Sequence, residues 1–225
     1  MIGRDAALTR LVRLAGVEPQ MSSTVVVSGD AGIGKSRLLA ALVERAAAGG
    51  WQVLVGHCLD LGGSPVAYLP FREVGAAVAA GSPTVAAALT RRWPGLRRLL
   101  PVAIPDAEDL PPEPVDRGAF FEAVHAAFLE LARTSPLLVV LEDLHWADQS
   151  TYDLVTFLLT RGFVAPVGLV GSYRSDDLHR RHPLRPLLAA WGRLPGVRRL
   201  ELGPLPDEDV RSCVSAPVGD CAVDL

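Results

Sequence analysis

Gly29-Asp30-Ala31-Gly32-Ile33-Gly34-Lys35-Ser36 has the residue types and the spacing of a phosphate cradle. The run Thr24-Val25-Val26-Val27 before it is apolar and β-prone. The run Arg37-Leu38-Leu39-Ala40-Ala41-Leu42 after it reads as helix. G-x-x-x-x-G-K-[ST] between a strand and a helix is the context in which the pattern binds phosphate. Glycines let the backbone turn tightly and aim successive N–H groups at an anion. The following helix points its positive end at the same place. In this reading Lys35 reaches the terminal phosphates and the Ser36 hydroxyl ligates Mg²⁺. Lys35 is the only lysine in the chain, and the other basic residues are all arginine. A compact ammonium fits a tight cradle where a planar guanidinium does not, which explains the exception.

Phosphate chemistry of this kind needs a second, acidic element. The continuously apolar run Leu137-Leu138-Val139-Val140-Leu141 reads as a strand buried on both faces and ends in Glu142-Asp143. One carboxylate would serve the metal and the other would orient or deprotonate an attacking water. The division stays open at this point. Either Glu142 takes the metal role with its longer arm, or Asp143 does, and Asp143 is favoured as an essential acid. A further strand ends in Ser172-Tyr173-Arg174. An arginine at the carboxyl edge of a parallel sheet lies by the ligand crevice and could report on a γ-phosphate. A plain ion pair with Asp176 or Asp177 is the competing reading. His145 and Trp146 could line the pocket or meet a neighbouring domain.

These residues need a scaffold to hold them. Strands are expected at about 24–28, 51–56, 137–141, 167–173 and 197–202. Helices are expected at about 5–16, 35–48, 71–80, 84–92, 116–133, 150–161 and 183–193. Residues 101–114 read as a proline-rich loop, and Asp207 could cap one more helix. Alternating strands and helices predict an α/β P-loop NTPase fold, a doubly wound five-stranded parallel sheet with helices on both faces. The composition of the 225 residues is 49% hydrophobic and 21% charged, which places the chain among globular proteins. The net charge of −3 gives no global pull toward nucleic acid or membrane. Cys58, Cys213 and Cys221 have no metal-type spacing and suit a reducing cytoplasm. No membrane span or signal-peptide pattern is seen, so a cytoplasmic location is expected.

Longer segments carry a resemblance. They are Ile2-Gly3-Arg4-Asp5, Ser28 through Leu39, Leu141-Glu142-Asp143-Leu144-His145-Trp146-Ala147-Asp148 and Gly171-Ser172-Tyr173-Arg174. Together with Tyr68-Leu69-Pro70-Phe71-Arg72 and 200–205, they resemble the AAA-type, Orc1-like ATPase domain of large LuxR-family, MalT-like STAND regulators of bacteria. The resemblance covers about 1–212. It implies an ATP/ADP switch with slow Mg²⁺-dependent hydrolysis, nucleotide contacts across Gly29–Arg37, an Arg4 near the base and a γ-phosphate-sensing Arg174. Partners would be ATP and either the other domains of a larger regulator or a second copy, with no direct DNA contact from this chain. Residues 1–205 would form the ATPase domain and 206–225 the start of a truncated lid or an irregular tail. A stand-alone nucleotide-binding interaction module is the alternative, and a small-molecule P-loop kinase is a weaker one.

Overall fold

The computed structural model describes residues 3–60, 62, 66–100 and 116–204. The expectations for the loop at 101–114 and for the segment after 204 lie outside these residues.

Five strands form one parallel sheet: β1 (Ser23–Gly29), β2 (Gln52–His57), β3 (Leu137–Glu142), β4 (Val167–Arg174) and β5 (Val197–Glu201). Their order across the sheet is β2-β3-β4-β1-β5. Every neighbouring pair is parallel. The helices are α1 (Asp5–Leu14), α2 (Lys35–Ala48), α3 (Leu69–Gly81), α4 (Pro83–Arg92), α5 (Arg117–Leu131), α6 (Gln149–Arg161) and α7 (Leu184–Trp191). Each expected strand and helix is present within the described residues. Four ends differ by two residues: α1 stops at Leu14, α5 at Leu131 and α7 at Trp191, each short of the expected limit, and α3 starts early at Leu69.

The strand period of two sorts the core into two layers. Val25, Val27, Leu138, Val140 and Val170 pack with α1 and α2 through Leu11, Leu38, Leu39 and Leu42. Val26, Leu54, Leu137, Val139, Leu141 and Leu169 pack on the opposite layer, with Phe71 of α3, Phe120, Val124 and Phe128 of α5, Leu158 of α6 and Trp191 of α7. Several of these side chains are wholly buried, and each contributes about 1.5–3 kcal/mol by leaving water. The same parity carries beyond the core. Continuing Leu138, Val140 along β3 puts Glu142 on the α2 layer, where the P-loop helix begins.

Side chains fix the helix starts near the site. Asp116 caps α5 by accepting from the Gly118 N–H at 2.9 Å. Asp148 caps α6, accepting from the N–H groups of Ser150 (2.8 Å) and Thr151 (3.1 Å). Asp148 also accepts the Tyr68 N–H at 3.2 Å and so ties the start of α3 to the start of α6. Tyr68 stands at φ 59°, with its ring edge-on to Phe120 at 5.1 Å. Two of the segments that carried the family resemblance, around Tyr68 and Asp148, therefore meet as scaffold.

Candidate nucleotide site

The loop between β1 and α2 turns on Gly34 at φ 97°, the residue just before α2. That left-handed conformation is cheap for glycine and costly for other residues. It swings the chain so that α2 begins at Lys35 with its free N–H groups facing the loop. Lys35 is buried, and its ammonium donates to the carbonyls of Gly29 (2.8 Å) and Asp30 (2.7 Å). Burial lowers its pKa, against the attraction of Asp143, Asp176 and Asp30. Asp30, Ala31, Ser36 and Arg37 are exposed, and Gly32 and Ile33 lie at the mouth of the loop.

Glu142 ends β3 on the α2 layer, where the Ser36 side chain is close enough to stabilise its carboxylate. Burial raises the Glu142 pKa, and Ser36 and His57 oppose the rise. His57 is the register partner of Glu142 on β2. Its ring Nδ1 and its backbone N–H both lie 2.8 Å from the Glu73 carboxylate.

Asp143 is one residue past the strand and faces differently. It takes φ 57°, a left-handed conformation uncommon for a residue with a side chain. Its N–H donates to the buried Ser172 hydroxyl of β4 at 3.1 Å, which fixes the turn. Its carboxylate Oδ1 lies 4.0 Å from Arg174 Nε and 3.8 Å from His145 Nδ1. Arg174 also approaches Asp177 at 3.8 Å, so the expected ion pair with that residue is present alongside the approach to Asp143.

His145 is buried under this cluster. Its Nδ1 accepts from the Arg174 N–H at 3.4 Å, and its Nε2 faces Asp177 Oδ2 at 3.3 Å without hydrogen-bond alignment. Burial lowers its pKa, so the ring is held as neutral imidazole. Its carbonyl lies 3.1 Å from His182 Nε2. Trp146 packs against the His145 ring at 5.0 Å and is partly exposed.

Arg4 joins the site from the other side. Its guanidinium donates to the carbonyls of Ile33 and Gly203, both at 2.8 Å. The structure thus brings Lys35, Ser36, Glu142, Asp143 and Arg174 to one edge of the sheet, with Arg4 against the outer wall of the loop. The sequence points to Ser172 only as part of a strand end and to Asp176 only as a partner for Arg174, and it gives no sign of Ser175. Parity along β3 assigns Glu142 to the α2 layer, but only strand order reveals that Ser172 lies beside Asp143.

Ser36 and Glu142 offer adjacent hard oxygen donors of the kind Mg²⁺ accepts. Among the described residues no three His, Cys, Asp or Glu side chains gather as a metal site of their own. No helix of the described residues is long and apolar enough to cross a membrane.

The chain is 29% identical over 236 residues to an uncharacterized protein of Rhizobium meliloti (strain 1021), an alignment covering 96% of this chain. It spans 22% of that relative's length. Among solved structures it is similar to a Signal Transduction ATPase with Numerous Domains (STAND) protein with a tetratricopeptide repeat sensor from Pyrococcus horikoshii. That match has a TM-score of 0.47 and 16% identity, over 89% of this chain and 24% of the other. It is also similar to a chain of Drosophila ORC bound to DNA, with a TM-score of 0.48 and 12% identity, over 92% of this chain and 96% of that one. A model of the AAA ATPase domain matches residues 1–170, the stretch that holds the P-loop, the acid pair and the first half of β4, and the chain belongs to that family.

Proposed function

We propose that this domain is an ATP-binding switch that hydrolyses ATP slowly, within a signal-responsive bacterial regulator of the LuxR/MalT-like STAND kind. The observation that carries the reading is the division of labour across one sheet edge. Lys35 and Ser36 sit at the start of α2, Glu142 faces Ser36, and Asp143 is turned away from it toward Arg174. Glu142 and Ser36 would hold Mg²⁺, which would supply positive charge to offset that of the phosphates. Asp143, fixed by Ser172, would orient the attacking water and accept its proton. Arg174 would exchange Asp143 and Asp177 for a γ-phosphate and leave it after hydrolysis. That exchange favours one conformation with ATP and another with ADP. The readout would pass to other domains of a longer protein or to a second copy, and Arg4 would place the base near the loop.

Comparing Glu142→Gln with Asp143→Asn tests the assignment. Glu142→Gln should abolish the Mg²⁺ dependence of nucleotide affinity. Asp143→Asn should keep that dependence and lose turnover by about 10²-fold or more. The opposite pattern overturns the assignment. Phosphate that appears only when an acceptor alcohol is added, and on the acceptor, would make the protein a kinase instead.

A further inference from the structure

Beyond β4 the chain doubles back over the P-loop. The Ser175 N–H donates to the Gly29 carbonyl at 3.2 Å, and the Ser175 hydroxyl donates to Asp30 Oδ1 at 2.8 Å. The Ala31 N–H donates to the Asp176 carboxylate, with the two oxygens at 3.1 and 3.2 Å. A carboxylate from 145 residues downstream thus sits on an amide of the loop that carries the phosphate motif. The field there favours an anion: Lys35 and Arg174 both attract Asp176. The Ala31 N–H is the main reason its carboxyl lies below the usual range. The cations are engaged in the same way, Lys35 by the carbonyls of Gly29 and Asp30, and Arg174 by Asp143 and Asp177.

We propose that Asp176 is an affinity-determining residue of the phosphate site, an internal anion that competes with the nucleotide's phosphates for the P-loop and must leave Ala31 when they bind. This rests on the nucleotide reading above. Two anions cannot share one N–H without like-charge repulsion, so a phosphate entering the loop expels the carboxylate or fails to bind. Because Asp176 follows Arg174 by two residues, expulsion moves the segment that directly follows the proposed γ-phosphate reader at the end of β4. The competing account is a fastener that merely holds the loop in shape. The two accounts differ in sign, since removing a competitor tightens binding and removing a fastener loosens it.

The test is calorimetric titration of the whole chain with Mg·ADP and with a non-hydrolysable Mg·ATP analogue. It compares wild type, Asp176→Ala, Asp176→Asn and Ser175→Ala, with thermal unfolding run on each to confirm folding. Asp176→Ala should bind both nucleotides about three- to tenfold more tightly, the scale of one charge-assisted hydrogen bond at a solvent-facing site. Asp176→Asn should fall between it and wild type, because the amide keeps an acceptor and loses the charge. Ser175→Ala, which frees the other half of the clasp without changing charge, should tighten binding less than Asp176→Ala. Unchanged or weaker binding by folded Asp176→Ala overturns the proposal while leaving the nucleotide reading intact. Absence of binding by wild type and every variant overturns the nucleotide reading itself.

Discussion

Replacing Lys35 with methionine separates a phosphate-binding role from a structural one, because the first predicts a loss of nucleotide affinity and the second a loss of stability. The ammonium is buried and makes two short hydrogen bonds, to Gly29 and Asp30. Hydrogen bonds to a charged group are worth about 1.5–3 kcal/mol each. Desolvating an ammonium costs several kcal/mol, so the two terms nearly cancel. The lowered Lys35 pKa gives the sign: the folded protein disfavours the charge relative to water. Lys35→Met keeps most of the apolar volume and removes the buried charge. The nucleotide-free protein should therefore change by no more than about 1 kcal/mol, in either direction. Nucleotide affinity should behave differently. Losing one or two charge-assisted contacts to phosphate, about 3 kcal/mol together, weakens binding by about 10²-fold. The pH dependence adds a second check. A lysine with a depressed pKa costs stability at neutral pH, and the cost is relieved as pH rises toward the ordinary value of 10.5. The wild type should therefore gain on the variant as pH rises toward 10.5. Urea unfolding across that range and calorimetric titration with Mg·ADP supply both numbers. A dissociation constant within threefold of wild type refutes the reasoning. So does a nucleotide-free variant destabilised by more than about 2 kcal/mol, which would make Lys35 a structural residue.

Two other predictions test the frame around the site. A Cβ added at Gly56 in β2 would meet the Pro70 carbonyl oxygen at 2.1 Å and its carbon at 2.7 Å. Gly56→Ala should therefore force strand and helix apart and cost about 2–3 kcal/mol in urea unfolding, and a loss below about 0.5 kcal/mol would show that α3 yields freely. His145 is buried with its pKa lowered from 6.5, so the unfolded chain binds its proton more readily. Stability should fall as pH drops through and below 6.5, despite Asp143 and Asp177 beside the ring, and His145→Gln should flatten that slope. His182, also lowered from 6.5, leaves a residual slope in the variant. Equal slopes in the two proteins refute the assignment.

Local pattern carried much of this architecture. A continuous apolar run marked β3, alternation of helix signals with strands marked the doubly wound sheet, and Lys35 as the sole lysine marked the loop. Helix α2 begins and ends at the residues its P-loop and its Gly49-Gly50 stop suggest. The rest depends on who neighbours whom. Nothing near Ser172 in the chain says that β4 lies beside β3, yet that adjacency sets the Asp143 turn. His145 reads as a pocket residue because it is polar and follows two acids, and packing buries it. The Glu142–Asp143 ambiguity arose because one residue of strand period swaps the face a side chain sees. Asp176 reads locally as a partner for Arg174, whereas its hydrogen-bond donor, the Ala31 N–H, is 145 residues away.

The place of β4 between β1 and β3 works as a gauge. Neighbouring strands lie about 4.8 Å apart, so strands one place removed are separated by about 10 Å. Had the strand ending in the acids bordered the strand leading into the phosphate loop, carboxylate and lysine would have closed on each other as an ion pair. The inserted strand keeps the ends of β1 and β3 about two spacings apart, a gap that side chains from either side must cross to meet. The same strand ends in Arg174, so the element that sets the width of the gap also reaches into it. A shift of β4 along its own axis would carry that arginine along the gap while leaving the width unchanged.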